Sequence, residues 1–171
     1  MIMPQPLVSV ITPSYNQAQF LESTLESVLR QDYPNIEYMV IDGGSTDGSV
    51  EIIKGYADQL AWWVSEPDEG QADAINKGFR RANGEIVAWL NSDDLYLPGA
   101  VKEAVEVFQS HSKAGMVVGN AVSADAEGRL LNHLPAKVGG LPELLRFQII
   151  TQPAVFMRRS VLEKVNYLDP S

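Results

Sequence analysis

The 171-residue sequence has no cysteine and only two histidines. Without cysteine there can be no disulfide scaffold, no thiolate zinc site and no thiol nucleophile. His111 and His133 stand alone, and both read as surface residues. No run approaches the roughly 20 apolar residues of a membrane-spanning helix. The first residues, MIMPQPLVSVIT, lack both the basic start and the apolar stretch of a signal peptide. Basic charge is scarce as well: 13 Lys and Arg face 22 Asp and Glu, a formal net charge of -9. That balance argues against nucleic-acid binding, whose usual footprint is a basic patch. No Walker loop and no G-x-G-x-x-G follows the first apolar run, so those phosphate-binding fingerprints are missing too.

What is present is a chain of one-domain size, 45% apolar, able to bury a core. Its acidity is local. Asp32 to Glu106 holds fifteen acids and five bases, a net of -10, whereas residues 107–171 hold five acids and seven bases, a net of +2. A solvated surface explains such an excess; so does a seat for a cation.

Leu7–Thr12 (LVSVIT) is a short β-branched run closed by Pro13 and reads as a buried strand. Phe20, Leu21, Thr24, Leu25, Val28 and Leu29 recur at helical spacing, which predicts a helix over 18–31. Further strands are expected at 36–41, 60–64, 85–90 and 115–119, with helices at 49–56, 71–82 and 99–109. Asp125–Arg129 reads as a hairpin turn and Pro135–Pro142 as an irregular loop. Trp62, Trp63 and Trp89 fall in strands and read as core rather than as sugar platforms. Alternating strands and helices imply a mainly parallel sheet, which binds ligands outside the carboxyl ends of its strands. Polar clusters fall at three of those ends: Thr12–Asn16, Asp42–Asp47 and Asn91–Asp94.

Each cluster admits a structural and a chemical reading. Asp93 and Asp94 are adjacent carboxylates that repel each other unless a cation or donors compensate. They suit a hard divalent ion, and equally the N-cap of the next helix. Asp42, before two glycines, suits an Asx turn or an acceptor for a base or ribose donor. Tyr15 is a packing residue or a stacking face for a nucleobase. Asp47 reads as a helix cap. Asp73 and Lys77, spaced i,i+4, form a solvated ion pair or the rim of a nucleotide pocket.

Three blocks, VSVITPSYNQAQFLESTLESVLRQ, YMVIDGGSTDGS and SEPDEGQADAINKGFRRANGEIVAWLNSDDLYLPGA, together resemble the family-2 glycosyltransferases of GT-A fold. The resemblance runs from about Leu7 to Pro170 and implies an α/β, Rossmann-like three-layer sandwich with a mainly parallel central sheet. It implies a donor-binding part over 7–119 and an acceptor part over 120–171. A nucleoside-diphosphate-sugar of UDP, GDP or TDP type would meet Thr12, Pro13, Tyr15, Asn16, Asp42, Gly44, Asp73, Lys77, Ser92 and Asp93. Tyr15 would stack on the base and Asp42 would accept from it. Asn91 replaces the first acid of the family's commoner D-x-D form, so manganese or magnesium would rest on Asp94 and Asp93. Gln152 would face a glycan or lipid-linked acceptor. The implied activity is inverting transfer to a hydroxyl, in the cytoplasm or at the inner membrane face, for cell-envelope polysaccharide. The resemblance places the general base beyond Ser171, after Tyr167-Leu168-Asp169-Pro170-Ser171, so this stretch is expected to lack it. Three competitors remain. A nucleotidyltransferase wants a basic Gly-rich loop where Pro13–Gln17 stands. A receiver-type signalling domain wants its acidic pair after the first strand. The third is a donor-binding module with no transfer activity.

Overall fold

A computed structural model describes residues 5–136 and 150–169. Its main sheet has six strands: β1 (Val8–Ser14), β2 (Ile36–Asp42), β3 (Trp62–Ser65), β4 (Ile86–Trp89), β5 (Met116–Val118) and β8 (Val155–Arg158). Their spatial order is β3-β2-β1-β4-β8-β5. The pairings β1–β2, β1–β4 and β2–β3 are parallel, while β8 lies antiparallel between β4 and β5. A separate hairpin joins β6 (Ala121–Ala124) to β7 (Leu130–Leu134). Its turn is the one expected, with Asp125 accepting from the amides of Glu127 and Arg129.

The helices are α1 (Ala18–Leu29), α2 (Ser49–Gly55), α3 (Gln71–Arg81), α4 (Ala100–Ser110) and α5 (Arg159–Lys164). The central strands are apolar on both faces because both faces are covered. On one side Val8, Val10, Val40, Ile86 and Ala88 pack with Leu21, Leu25 and Val28 of α1, Ile53 of α2, and Val101, Val105 and Phe108 of α4. On the other, Ile11, Met39, Ile41 and Val87 pack with Ala74, Ile75 and Phe79 of α3 and Leu162 of α5. This is the expected three-layer α/β architecture. The tryptophans pack against these two cores without being fully buried, and both histidines are exposed.

Three elements differ from the sequence reading. β1 continues through Pro13 to Ser14, where the expectation stopped at Thr12. Proline lacks the N–H that a central strand needs. However, β4 pairs with β1 only as far as Ile11, which accepts from Leu90 N–H. Pro13 shares Ile11's side, so its missing donor faces a neighbour that has already ended. The other two are β8 and α5, which no periodicity announced. Each is shorter than two helical turns or five residues, too brief for a periodic signal. Most of the expected loop at 135–142 lies outside the described residues.

Gly78 lets α3 seat deeply. A Cβ there would lie 2.7 Å from both Ile11 Cγ1 and Cγ2 and 2.9 Å from Ile41 Cδ1. Helix and strands therefore meet at near-backbone contact, which sets the height of the α3 N-terminus above the sheet.

Candidate functional site

Register aligns Ser14, Asp42 and Ser65 across the tips of β1, β2 and β3. Asp42 has 0% exposure, and a carboxylate there must be satisfied internally. Four donors do so: Gly44 N–H at 3.1 Å, Ser45 N–H at 2.9 Å, Ser45 Oγ at 2.5 Å and Ser65 Oγ at 2.7 Å. Gly44 holds φ at +83°, which turns the chain back over the carboxylate. Asp42 thus forms an Asx-type turn that also spans to β3.

The β1 and β2 loops are laced together. Asn16, at φ +52°, donates its N–H to Ser45 Oγ and accepts from Thr46 N–H at 3.0 Å. Asp47 accepts from Ala18 N–H at 2.9 Å and from Ser49 N–H and Oγ. It therefore caps α1 as well as the expected α2. Hydrogen bonds from Ser49, then from Ala18, hold its carboxyl below the usual range. Thr12 lies beneath this surface, fully buried, with its hydroxyl 2.9 Å from Tyr38 Oη. Pro13 is buried beside it. Tyr15 projects from the same loop at 63% exposure.

Lys77 sits on α3 with its Nζ 3.1 Å from Glu66 and 3.4 Å from Asp73, and it donates to Pro67 O at 3.5 Å. Partial burial alone would lower its pKa, but the bonds and charges of Glu66 and Asp73 outweigh that and raise it. Asp73 also receives Glu69 N–H. The Asp73–Lys77 pair therefore clasps the 66–70 loop to α3.

The third cluster follows β4. Asp94 N–H closes a turn onto Asn91 O at 3.0 Å, and Asp94 O accepts from Thr24 Oγ1 of α1. Asp93 is exposed, Asp94 half-buried and Ser92 buried. Burial, then the Asp93 charge, raises the Asp94 pKa against a weaker opposing bond from Asn91. Asn91 also donates to Gln152 Oε1 at 2.9 Å, while Gln152 Nε2 donates to Trp89 O. So Gln152, delivered by a 3-10 turn before β8, joins the same network as Asp94. Gln71 at the start of α3 donates to Asn91 Oδ1 at 2.9 Å. Sequence reasoning passed over Gln71, since a glutamine at a helix start carries no signal of its own. Ser14 Oγ and Tyr96 Oη are buried without a partner among the described residues.

The donor chemistry of the Asp93–Asp94 turn fits a hard cation. Two adjacent carboxylates, one held at raised pKa by burial and by the other's charge, offer oxygen ligands. Among the described residues no third His, Cys, Asp or Glu completes a cage, so water and phosphate oxygens would fill the shell. No described helix is long and apolar enough to cross a membrane.

The mainly parallel sheet with helices on both faces is of the GT-A class of α/β fold, shared with solved glycosyltransferase structures. Within that class the chain belongs to glycosyl transferase family 2, whose profile matches residues 9–165. It is 33% identical to an uncharacterized glycosyltransferase of Nostoc sp., over 95% of this chain and 54% of that protein. It is 37% identical to TuaG of Bacillus subtilis, a candidate teichuronic acid biosynthesis glycosyltransferase, over 70% of this chain and 49% of that one. A mannosyltransferase from Pyrobaculum calidifontis, solved with GDP-Man and Mn2+, superposes with TM-score 0.76 at 25% identity, over 99% of this chain and 49% of its own. S. aureus TarS, solved with UDP-GlcNAc, shares the fold at TM-score 0.78 and 24% identity, over 95% of this chain and 48% of its own. The chain spans about half the length of these relatives.

Proposed function

We propose that this chain carries the donor-binding part of a glycosyltransferase that moves a sugar from a nucleoside-diphosphate-sugar to an acceptor hydroxyl with inversion. The observation that supports this is that Tyr15 and the Asp93–Asp94 turn follow the carboxyl ends of the neighbouring parallel strands β1 and β4, with Gln152 tied to that turn through Asn91. Family membership supports it, as do a neighbour solved with GDP-Man and Mn2+ and another solved with UDP-GlcNAc. Residues 7–119 would serve the donor and residues 120–171 the acceptor side.

Each residue then has a task. Tyr15 presents an exposed ring on which a base can stack, a contact worth about 1–3 kcal/mol. Asp42, satisfied by its four donors, shapes the loop that carries Gly44 and Ser45. Lys77 keeps the 66–70 loop in place while adding positive charge beside the site. Asp94 and Asp93 would hold manganese or magnesium, which when bound neutralises charge on the diphosphate leaving group. Asn91 orients both Asp94 and Gln152, so Gln152 can meet an acceptor close to the donor. No residue of this chain is assigned as the general base. A similar relative named for teichuronic acid biosynthesis favours a cell-envelope glycan as product.

Calorimetry with UDP, GDP and TDP, with and without Mn2+, tests the reading. We expect metal-dependent binding of at least one, lost in Asp94→Ala. Metal-independent binding, or binding unchanged in Asp94→Ala, removes the metal assignment, and no binding at all removes the donor-site reading.

A further inference from the structure

Resting on the donor-site reading above, we propose that Asp68 is the residue that reads the nucleobase, and that it selects uracil or thymine. The family resemblance put base recognition on Asp42, but that carboxylate is fully buried and already accepts four hydrogen bonds. It has little capacity left for a ligand. The next position is Gly43, and the missing side chain there leaves a space that is used. A Cβ on Gly43 would lie 2.6 Å from Asp68 Oδ2, 3.2 Å from Asp68 Cγ and 3.3 Å from Tyr15 Cδ2. The Asp68 carboxylate and the edge of the exposed Tyr15 ring thus border the same bare stretch of backbone. A base stacked on Tyr15 would present its edge toward that carboxylate, the combination of ring face and edge acceptor by which unpaired bases are read.

Asp68 is held for this task. Its Oδ1 accepts from Gly70 N–H at 2.9 Å. Before it, Lys77 fixes the loop through Glu66 and the Pro67 carbonyl; after it, Glu69 N–H donates to Asp73. Among the described residues Oδ2 has no hydrogen-bond partner, so one acceptor oxygen faces the space over Gly43.

One free acceptor discriminates between bases. Uracil and thymine offer a single edge donor, N3–H, which one carboxylate oxygen can take. Guanine offers N1–H and its amino group side by side, a pair best met by two oxygens, and here one is engaged by Gly70. Adenine and cytosine set a ring-nitrogen lone pair beside their amino group, which repels a carboxylate.

Calorimetry in Mn2+ with UDP, TDP, GDP, CDP and N3-methyl-UDP tests this on the chain as it stands. The wild type is expected to bind UDP and TDP about tenfold or more tightly than GDP and CDP, the size of a charge-assisted hydrogen bond. Asp68→Ala should lose that preference, and should weaken UDP while leaving N3-methyl-UDP unchanged. Gly43→Ala, whose new methyl displaces Oδ2, should reproduce the loss and covers the case in which Asp68→Ala folds poorly. If the wild type binds GDP as tightly as UDP, or if Asp68→Ala weakens UDP and N3-methyl-UDP alike, Asp68 does not read the base. If it binds no nucleoside diphosphate, the donor-site reading itself falls, and this assignment with it.

Discussion

Replacing Asp42 by alanine should damage the fold before it damages any chemistry. The side chain has 0% exposure and accepts from two backbone amides and one hydroxyl of the β2 loop and from one hydroxyl of β3. Each hydrogen bond to a charged group contributes about 1.5–3 kcal/mol net. Simple addition would overshoot, because Ser45 and Ser65 are only partly buried and their hydroxyls can turn to water. The amides of Gly44 and Ser45 cannot turn. A loss of about 3–5 kcal/mol is expected, most of it from two amides left unpaired at about 1–3 kcal/mol each. For a chain of this size that lowers Tm by about 6–20 °C. Asp42→Asn keeps the shape but presents one acceptor oxygen, and should lose about 2–3 kcal/mol. Scanning calorimetry reads both, with the exposed Glu106→Ala on α4 as a control that should not shift Tm. A fall of under about 1 kcal/mol in Asp42→Ala would refute the claim that this carboxylate organises the β2 loop.

Two other stability predictions follow from packing and charge. Gly78→Ala should destabilise by about 1–3 kcal/mol in urea melts, since its methyl would press on Ile11 and Ile41; the helix-propensity gain of about 1 kcal/mol offsets only part. A more stable Gly78→Ala would show that α3 can lift off the sheet freely. Glu37 lies at the opposite end of the sheet, where burial alone would raise its pKa but bonds from Ser9 and Asn83 lower it. A lowered folded pKa means its stability contribution is present above the unfolded value of about 4.3 and is lost as pH falls through the folded value. Glu37→Gln should therefore flatten the acid limb of a stability-against-pH curve, and an unchanged limb would remove Glu37 from that role.

The layers were legible because they follow from periodicity. LVSVIT, IEYMVI and EIVAWL read as strands buried on both faces, and helices do cover both faces. Pro13 misled because proline's effect in a strand depends on whether a neighbour stands on that side, which is a tertiary fact. The site clusters were legible as a group, since a parallel sheet puts its loops together at the carboxyl ends of its strands. The share taken by each residue was not. Asp42 suited either an Asx turn or a ligand: three of its four donors are two or three residues away, but the fourth, Ser65, lies on a different strand. Asp68 carried no signal in the sequence, because its place beside Gly43 depends on how the Lys77 contacts fold the loop back onto α3.

β5 has a further consequence for how the chain acquires its shape. Among the described residues its one sheet neighbour is β8, with Met116 opposite Met157, far along the sequence. During synthesis the earlier strands can assemble as they emerge, since β1, β2, β3 and β4 find partners among themselves. β5 must wait with an unsatisfied edge until β8 has been made and has slotted in beside β4. Exposed strand edges of that kind are where nascent chains pair wrongly. The same late strand carries Gln152 to Asn91, so that contact can form only after β1 to β4 are in place.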